Sequence, residues 1–245
     1  MTIGLIVANV VVFLLEIRAG GSFWSGPTAN GTVRWGLIPY EVTHWGKHCD
    51  LDQVTQQVVC QGQPGVVGRP SSQPATIVTI FTSMFVHGGI LHLGGNMLFL
   101  WVFGNNVEDS MGRIRFVIFY FLGGIAASAL QIAVNAISAV PSIGASGAIA
   151  AVLGGYLVVY PRARVLTLVF LFIFFTFIEI PALFFLVIWF FLQVLYAAAD
   201  LSHPVGGGGV AYFAHIGGFA FGALTIRLFA KHVKHDYQQP KYPLY

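Results

Sequence analysis

Two short stretches hold polar residues where apolar ones would be expected. Ser146 stands in Gly144-Ala145-Ser146-Gly147, directly before the apolar run 148–159. Val140-Pro141-Ser142 precedes it and favours extended backbone, so the spacing predicts a helix beginning at the serine. The first N–H groups of a helix lack intrahelical partners, and together with the helix dipole they attract negative charge. A serine there can act as a nucleophile beside an oxyanion site. It can also be a simple helix cap between small residues. His215 lies in Ala214-His-Ile-Gly-Gly218-Phe-Ala-Phe-Gly222. His215, Gly218 and Gly222 fall on one helical face, and small residues on such a face let two membrane helices approach closely. The helix after Ser146 offers a matching face at Ala150 and Gly154, and Gly144 and Gly147 are further small packing positions beside the serine. If these faces meet, His215 comes within reach of Ser146, the pairing that nucleophilic catalysis needs. The alternative is a packing stripe carrying an incidental histidine.

A third stretch runs His87-Gly-Gly-Ile-Leu-His92-Leu-Gly-Gly-Asn96. His92 and Asn96 are four apart and share a face, so both can donate into one pocket, as an oxyanion hole requires. His87 points elsewhere and reads as structural. No metal site is expected, because Asn96 is a poor third ligand for a transition metal and no His-Glu-x-x-His motif occurs. Two carboxylates sharing a site are also missing: Asp109 and Asp200 sit at span ends and Glu179 stands alone. No cofactor is needed.

The elements holding these residues must lie in lipid. Hydrophobic residues make up 56% of the 245 residues and charged ones 9%, too few charges to cover a soluble surface. The net charge of +3 is not gathered into a stripe, which argues against a nucleic-acid partner. Apolar runs at 2–17, 76–103, 114–134, 145–160, 181–199 and 210–230 predict an all-α, polytopic membrane protein, a six-transmembrane-helix bundle forming a single domain over 1–245. The first run lacks a basic leader, so it reads as a span rather than a cleaved signal. Six spans put Arg113/Arg115, Arg162/Arg164 and Lys231/Lys234 on one side, as the positive-inside rule asks. A seventh span across 165–180 would break that pattern. This segment is therefore expected to be re-entrant, interfacial or a lead-in to the fifth helix. A long outer loop, 18–75, joins helices 1 and 2. Its Trp24, Trp35, Tyr40 and Trp45 either rest among lipid headgroups or pack a small core of the loop itself. Cys49 and Cys60 lie in this loop, where an outside location would suit a disulfide; free thiols are the alternative.

Together, Gly144-x-Ser146-Gly147, Ala214-His215-x-x-Gly218-x-x-x-Gly222 and His87-x4-His92-x3-Asn96 resemble the rhomboid family of intramembrane serine proteases. Arg34-Trp-Gly-Leu-Ile-Pro39 resembles its bacterial members. The resemblance implies a Ser146–His215 dyad without a carboxylate and an oxyanion site of His92, Asn96 and the Ser146 backbone. It also implies other proteins' transmembrane segments as substrates, cut near their outer end, in a bacterial plasma membrane with the site open outward. A catalytically silent relative that binds membrane proteins is the alternative. The sequence departs from the family's pattern at two places. Val78-Thr79 stand where many members carry Trp-Arg, and Ala150 stands where many place an aromatic against the histidine ring.

Overall fold

The computed structural model describes residues 1–64, 66, 73–171, 174–202 and 210–231. Lys234, one of the cations used in the topology argument, lies outside them. In chain order the elements are α1 (Thr2–Arg18), α2 (Ala29–Trp35), α3 (Pro39–Thr43), β1 (Cys49–Leu51), β2 (Val58–Cys60), α4 (Thr76–Thr82), α5 (Ile90–Met111) and α6 (Arg113–Val134). There follow α7 (Ser146–Val159), β3 (Arg164–Leu171), β4 (Phe174–Pro181), α8 (Ala182–Ser202) and α9 (Tyr212–Phe229).

The protein is mostly helical, and among the described residues three helices are long and apolar enough to cross a membrane: 113–134, 182–201 and 212–229. The outward faces are apolar as well. Phe184, Val187, Ile188 and Phe191 of α8 and Leu224 and Leu228 of α9 are exposed. So large a continuous apolar exterior suits lipid, not water.

α7 is the central element. Every residue from Gly147 to Tyr156 is buried, and the helix packs against α5, α6, α8 and α9. Its run of Gly, Ala and Val explains the fit, because short side chains let neighbouring backbones come close. A Cβ on Gly218 would overlap the carbonyl oxygen of Gly147, one on Gly222 that of Ala151, and one on Gly154 that of Phe219. The α7–α9 seam is thus glycine against backbone on both sides. Gly147 also faces α6, where a Cβ would come within 2.7 Å of Ala127 Cβ. Gly144 does not belong to this set. It precedes the helix with φ of +116°, in the left-handed region that favours glycine, so its part is to turn the chain into α7.

Two expectations need correction. The run 76–103 is not one continuous helix: helix stops after Thr82 and resumes at Ile90. Gly89 adopts φ of +123°, and a Cβ there would overlap the Trp24 carbonyl. The Ile90 N–H bonds Phe23 O at 2.9 Å. The loop that precedes α4 thus occupies the gap that Gly88-Gly89 opens. The described residues of 165–180, expected to be re-entrant, interfacial or a lead-in to the fifth helix, form β3 and β4, which pair antiparallel from Arg164↔Pro181 to Leu171↔Phe174, and β4 leads directly into α8. The segment is mostly β-branched or aromatic, which favours strand. With a second hairpin, Cys49–Leu51 on Val58–Cys60, the fold is mostly rather than all helical.

The loop before α4 has its own core of Val33, Ile38, Tyr40, Cys49 and Cys60, and Cys49 and Cys60 form a disulfide. Its aromatics divide: Tyr40 is buried and stacks on His44, while Trp24 and Trp45 are exposed. The loop is anchored beside the serine. Leu37 and Ser142 exchange backbone hydrogen bonds of 3.0 and 2.8 Å, and Thr82 Oγ1 donates to Trp35 O at 2.9 Å.

Candidate active site

Ser146 is the first residue of α7, and Ala145 before it makes no side-chain cap. Ser146 thus stands one position inside the cap, which is Ala145. Its hydroxyl meets His215: Ser146 Oγ lies 2.8 Å from His215 Nε2. His215 sits one turn into α9 and is buried. The seam of Gly147, Gly218, Gly222 and Ala151 makes this approach possible, because a Cβ on Gly218 or Gly222 would separate the helices.

On its far side, His215 Nδ1 lies 2.8 Å from Gln193 Oε1, and Gln193 Nε2 donates to Trp189 O at 3.2 Å. Both residues belong to α8. The Trp189 ring lies 5.8 Å from the His215 ring, inclined 35°. Sequence reasoning missed both. A lone amide inside the apolar run 181–199 was the available signal, since a polar group in lipid is costly and calls for a reason. The aromatic missing at Ala150 is supplied in space by Trp189, which the motif around Ser146 could not reveal.

His92 and Asn96 approach the same turn from α5. The Gly88 N–H donates to His92 Nδ1 at 3.2 Å, so in a neutral ring Nε2 carries the proton. A Cβ on Gly144 would stand 2.7 Å from His92 Nε2 and 3.6 Å from Asn96 Nδ2. Both donors thus border the backbone just ahead of Ser146, where only glycine leaves them room. The buried Asn96 Nδ2 has no hydrogen-bond partner among the described residues. A buried donor without a partner is costly and is what a site awaiting an acceptor would hold. His87 is fully buried, shares a 3.0 Å contact with Phe85 O, and packs edge-on against His92 with ring centres 5.2 Å apart.

A cavity of about 30 Å³ borders Ser146, with Ser83, Ser128, Gln131 and Ser142 among its walls. Its walls are mostly apolar but carry these polar groups, and it has room for water. Among the described residues no cluster of three His, Cys, Asp or Glu could hold a metal.

A mostly helical membrane protein with a serine–histidine pair beside the loop that precedes α4 defines the class. The Rhomboid domain family model matches residues 74–232, and the chain belongs to the rhomboid family. It is 36% identical over 97 residues to Rhomboid protein 1, mitochondrial, of Saccharomyces cerevisiae, covering 38% of this chain and 28% of the yeast protein. It is 44% identical over 80 residues to Rhomboid protease GluP of Bacillus subtilis, covering 33% and 15%. RHOMBOID-like protein 4 of Arabidopsis thaliana is 35% identical over 150 residues, covering 57% and 31%. The chain spans less than a third of each of these three proteins.

Proposed function

We propose that this chain is an intramembrane serine endopeptidase that cuts transmembrane segments of other membrane proteins. The observation that carries the reading is the 2.8 Å approach of Ser146 Oγ to His215 Nε2 on a helix shorter than the bilayer is thick. The 14 residues of α7 span about 21 Å, against roughly 30 Å of hydrocarbon. With its C-terminal end at the inner face, its N-terminus leaves Ser146 about 10 Å inside the membrane, open outward under the loop.

Six crossings are read as α1, the broken α4–α5 pair, α6, α7, α8 and α9. They put Gly112 and the Arg162–Arg164 turn on the inner side and the disulfide-bearing loop outside, where an oxidising compartment keeps that bond. A multi-pass protein of a cell membrane, acting from its outer side, fits this arrangement.

In the first half-reaction the Ser146 hydroxyl attacks the scissile carbonyl carbon while His215 Nε2 takes its proton. The developing oxyanion faces the Ser146 N–H, His92 Nε2–H and Asn96 Nδ2–H, donors fixed before the substrate arrives. His215 then returns the proton to the departing amine. Water from the cavity beside Ser146 attacks the acyl ester, again with His215 as base, and releases the second fragment. The substrate helix must unwind first, because its carbonyls are engaged in its own hydrogen bonds. A silent binding protein would have no use for a paired serine and histidine beside an unpartnered amide, so catalysis is the better reading.

The test is cleavage of a single-span reporter with a helix-breaking segment, in liposomes. The unaltered chain cleaves it. Ser146→Ala and His215→Ala fold but do not, and turnover by Ser146→Ala would refute the proposal.

A further inference from the structure

We infer that Gln193 is a positioning residue for the dyad: it holds His215 in the tautomer that leaves Nε2 free to accept the Ser146 proton. This rests on the reading of Ser146 as nucleophile and His215 as base.

A neutral imidazole has one nitrogen that donates and one that accepts. Gln193 chooses between them through its own second bond. Its Nε2 faces the Trp189 carbonyl oxygen at 3.2 Å, and its Oε1 faces His215 Nδ1 at 2.8 Å. Turning the amide over would set Oε1 against the Trp189 carbonyl, acceptor against acceptor. The orientation with Oε1 toward Nδ1 is therefore the one that satisfies all four groups. Nδ1 must then carry the hydrogen, and the Nε2 lone pair points at Ser146 Oγ, 2.8 Å away.

Gln193 and Trp189 are four residues apart, so one face of α8 presents both. The amide fixes the ring's tautomer and the indole covers its face, with ring centres 5.8 Å apart. Both Gln193 and His215 are buried, so water competes little for Nδ1. A carboxylate at this depth would carry an extra charge into a low-dielectric site. The neutral amide does the orienting without one. No other described element supplies a partner to Nδ1.

Two measurements on the full chain in detergent test this. The first compares reporter cleavage, fluorophosphonate labelling and thermal midpoint. Gln193→Leu removes the acceptor at near-constant volume. It lowers kcat and the labelling rate about 10- to 100-fold, the usual effect of removing a group that orients a reactive one, with KM within about twofold. Gln193→Glu, read at a pH low enough to keep the buried carboxyl protonated, sets its O–H toward the Trp189 carbonyl oxygen and its other oxygen toward Nδ1–H, and regains most of the rate. A purely structural role would lower the midpoint in both variants and leave kcat of the folded fraction unchanged. A folded Gln193→Leu with wild-type kcat overturns the inference. The second measurement needs no variant. 15N NMR of histidine-labelled protein near neutral pH shows His215 protonated on Nδ1; a proton on Nε2 overturns the inference even if Gln193→Leu does not fold. Failure here is distinct from failure of the proposed function. A chain in which Ser146→Ala abolishes cleavage but Gln193→Leu does not would lose only the role of Gln193.

Discussion

Gly222→Ala adds one methyl group two helical turns from His215, about 10 Å along α9 at 1.5 Å per residue. The structure fixes where it lands. The new Cβ would overlap the Ala151 carbonyl oxygen and stand 2.8 Å from Ala151 Cα, whereas carbon atoms settle at about 3.5–4.0 Å. The obstacle is backbone on a buried helix, so no side chain can swing away. α9 and α7 must separate locally by roughly 1 Å to reach that spacing. Such overpacking typically costs about 1–3 kcal/mol. The Ser146–His215 contact of 2.8 Å spans the same two helices. Opened by most of an ångström, it leaves the hydrogen-bonding range. A displacement of 1 Å in a reacting group can cost about 10²-fold in rate. Gly222→Ala should therefore lower both kcat and the thermal midpoint. Gly4→Ala is the control, because nothing lies within 4 Å of a Cβ there, and alanine gains about 0.5–1 kcal/mol over glycine in a helix. The assay is reporter cleavage in liposomes alongside a thermal melt in detergent. A Gly222→Ala chain with the midpoint and kcat of the unaltered protein would refute the argument that this seam sets the dyad's spacing.

Asn96→Ala should lower kcat by about 10²–10³-fold with little change in KM, because the lost donor acts mainly in the transition state; a destabilised but fully active variant would remove Asn96 from the site. Burial pushes the Glu41 carboxyl above its usual range, opposed by the Cys49 N–H bond and by His48. A carboxyl with a raised folded pKa stabilises the loop while protonated, fully so below its unfolded pKa near ~4.3, and that contribution is lost as pH rises through the folded pKa. Hydrogen-exchange protection of the loop, corrected for intrinsic exchange, should accordingly fall from pH 4 to 7, and Glu41→Gln should flatten the dependence. Protection rising with pH would contradict it. Reducing Cys49–Cys60, separated by 11 residues, removes about 2–3 kcal/mol of chain-entropy stabilisation. Limited proteolysis of the loop should then quicken while the melt of α6 to α9 stays unchanged.

The four residues proposed for the site could be picked out because polar groups in apolar runs are costly and stand out, and the resemblance to the rhomboid family suggested their roles. The helix period then set Ser146, His215, His92 and Asn96 on faces that the structure brings to one turn. Gln193 and Trp189 were not legible in the same way. Their meaning lies in a contact between α8 and α9, and the run holding them read simply as apolar. The break before α5 was written in Gly88-Gly89, but mean hydropathy does not register a turn. For 165–180 hydropathy likewise hid the signal: a run rich in valine, isoleucine, threonine and phenylalanine is apolar enough for a helix and better suited to strands. Gly144 looked like one more packing glycine. Its role depends on a left-handed φ and on the room it leaves for His92, both consequences of the folded turn.

The most direct test of the central claim is to locate the adduct when the folded chain is treated with a fluorophosphonate. Peptide mapping by mass spectrometry should find a single modified residue, Ser146, formed faster than on any other serine. The adduct should disappear in His215→Ala, whose serine has lost its base. A folded chain that gains no adduct at Ser146, or labels equally well without His215, would contradict the account.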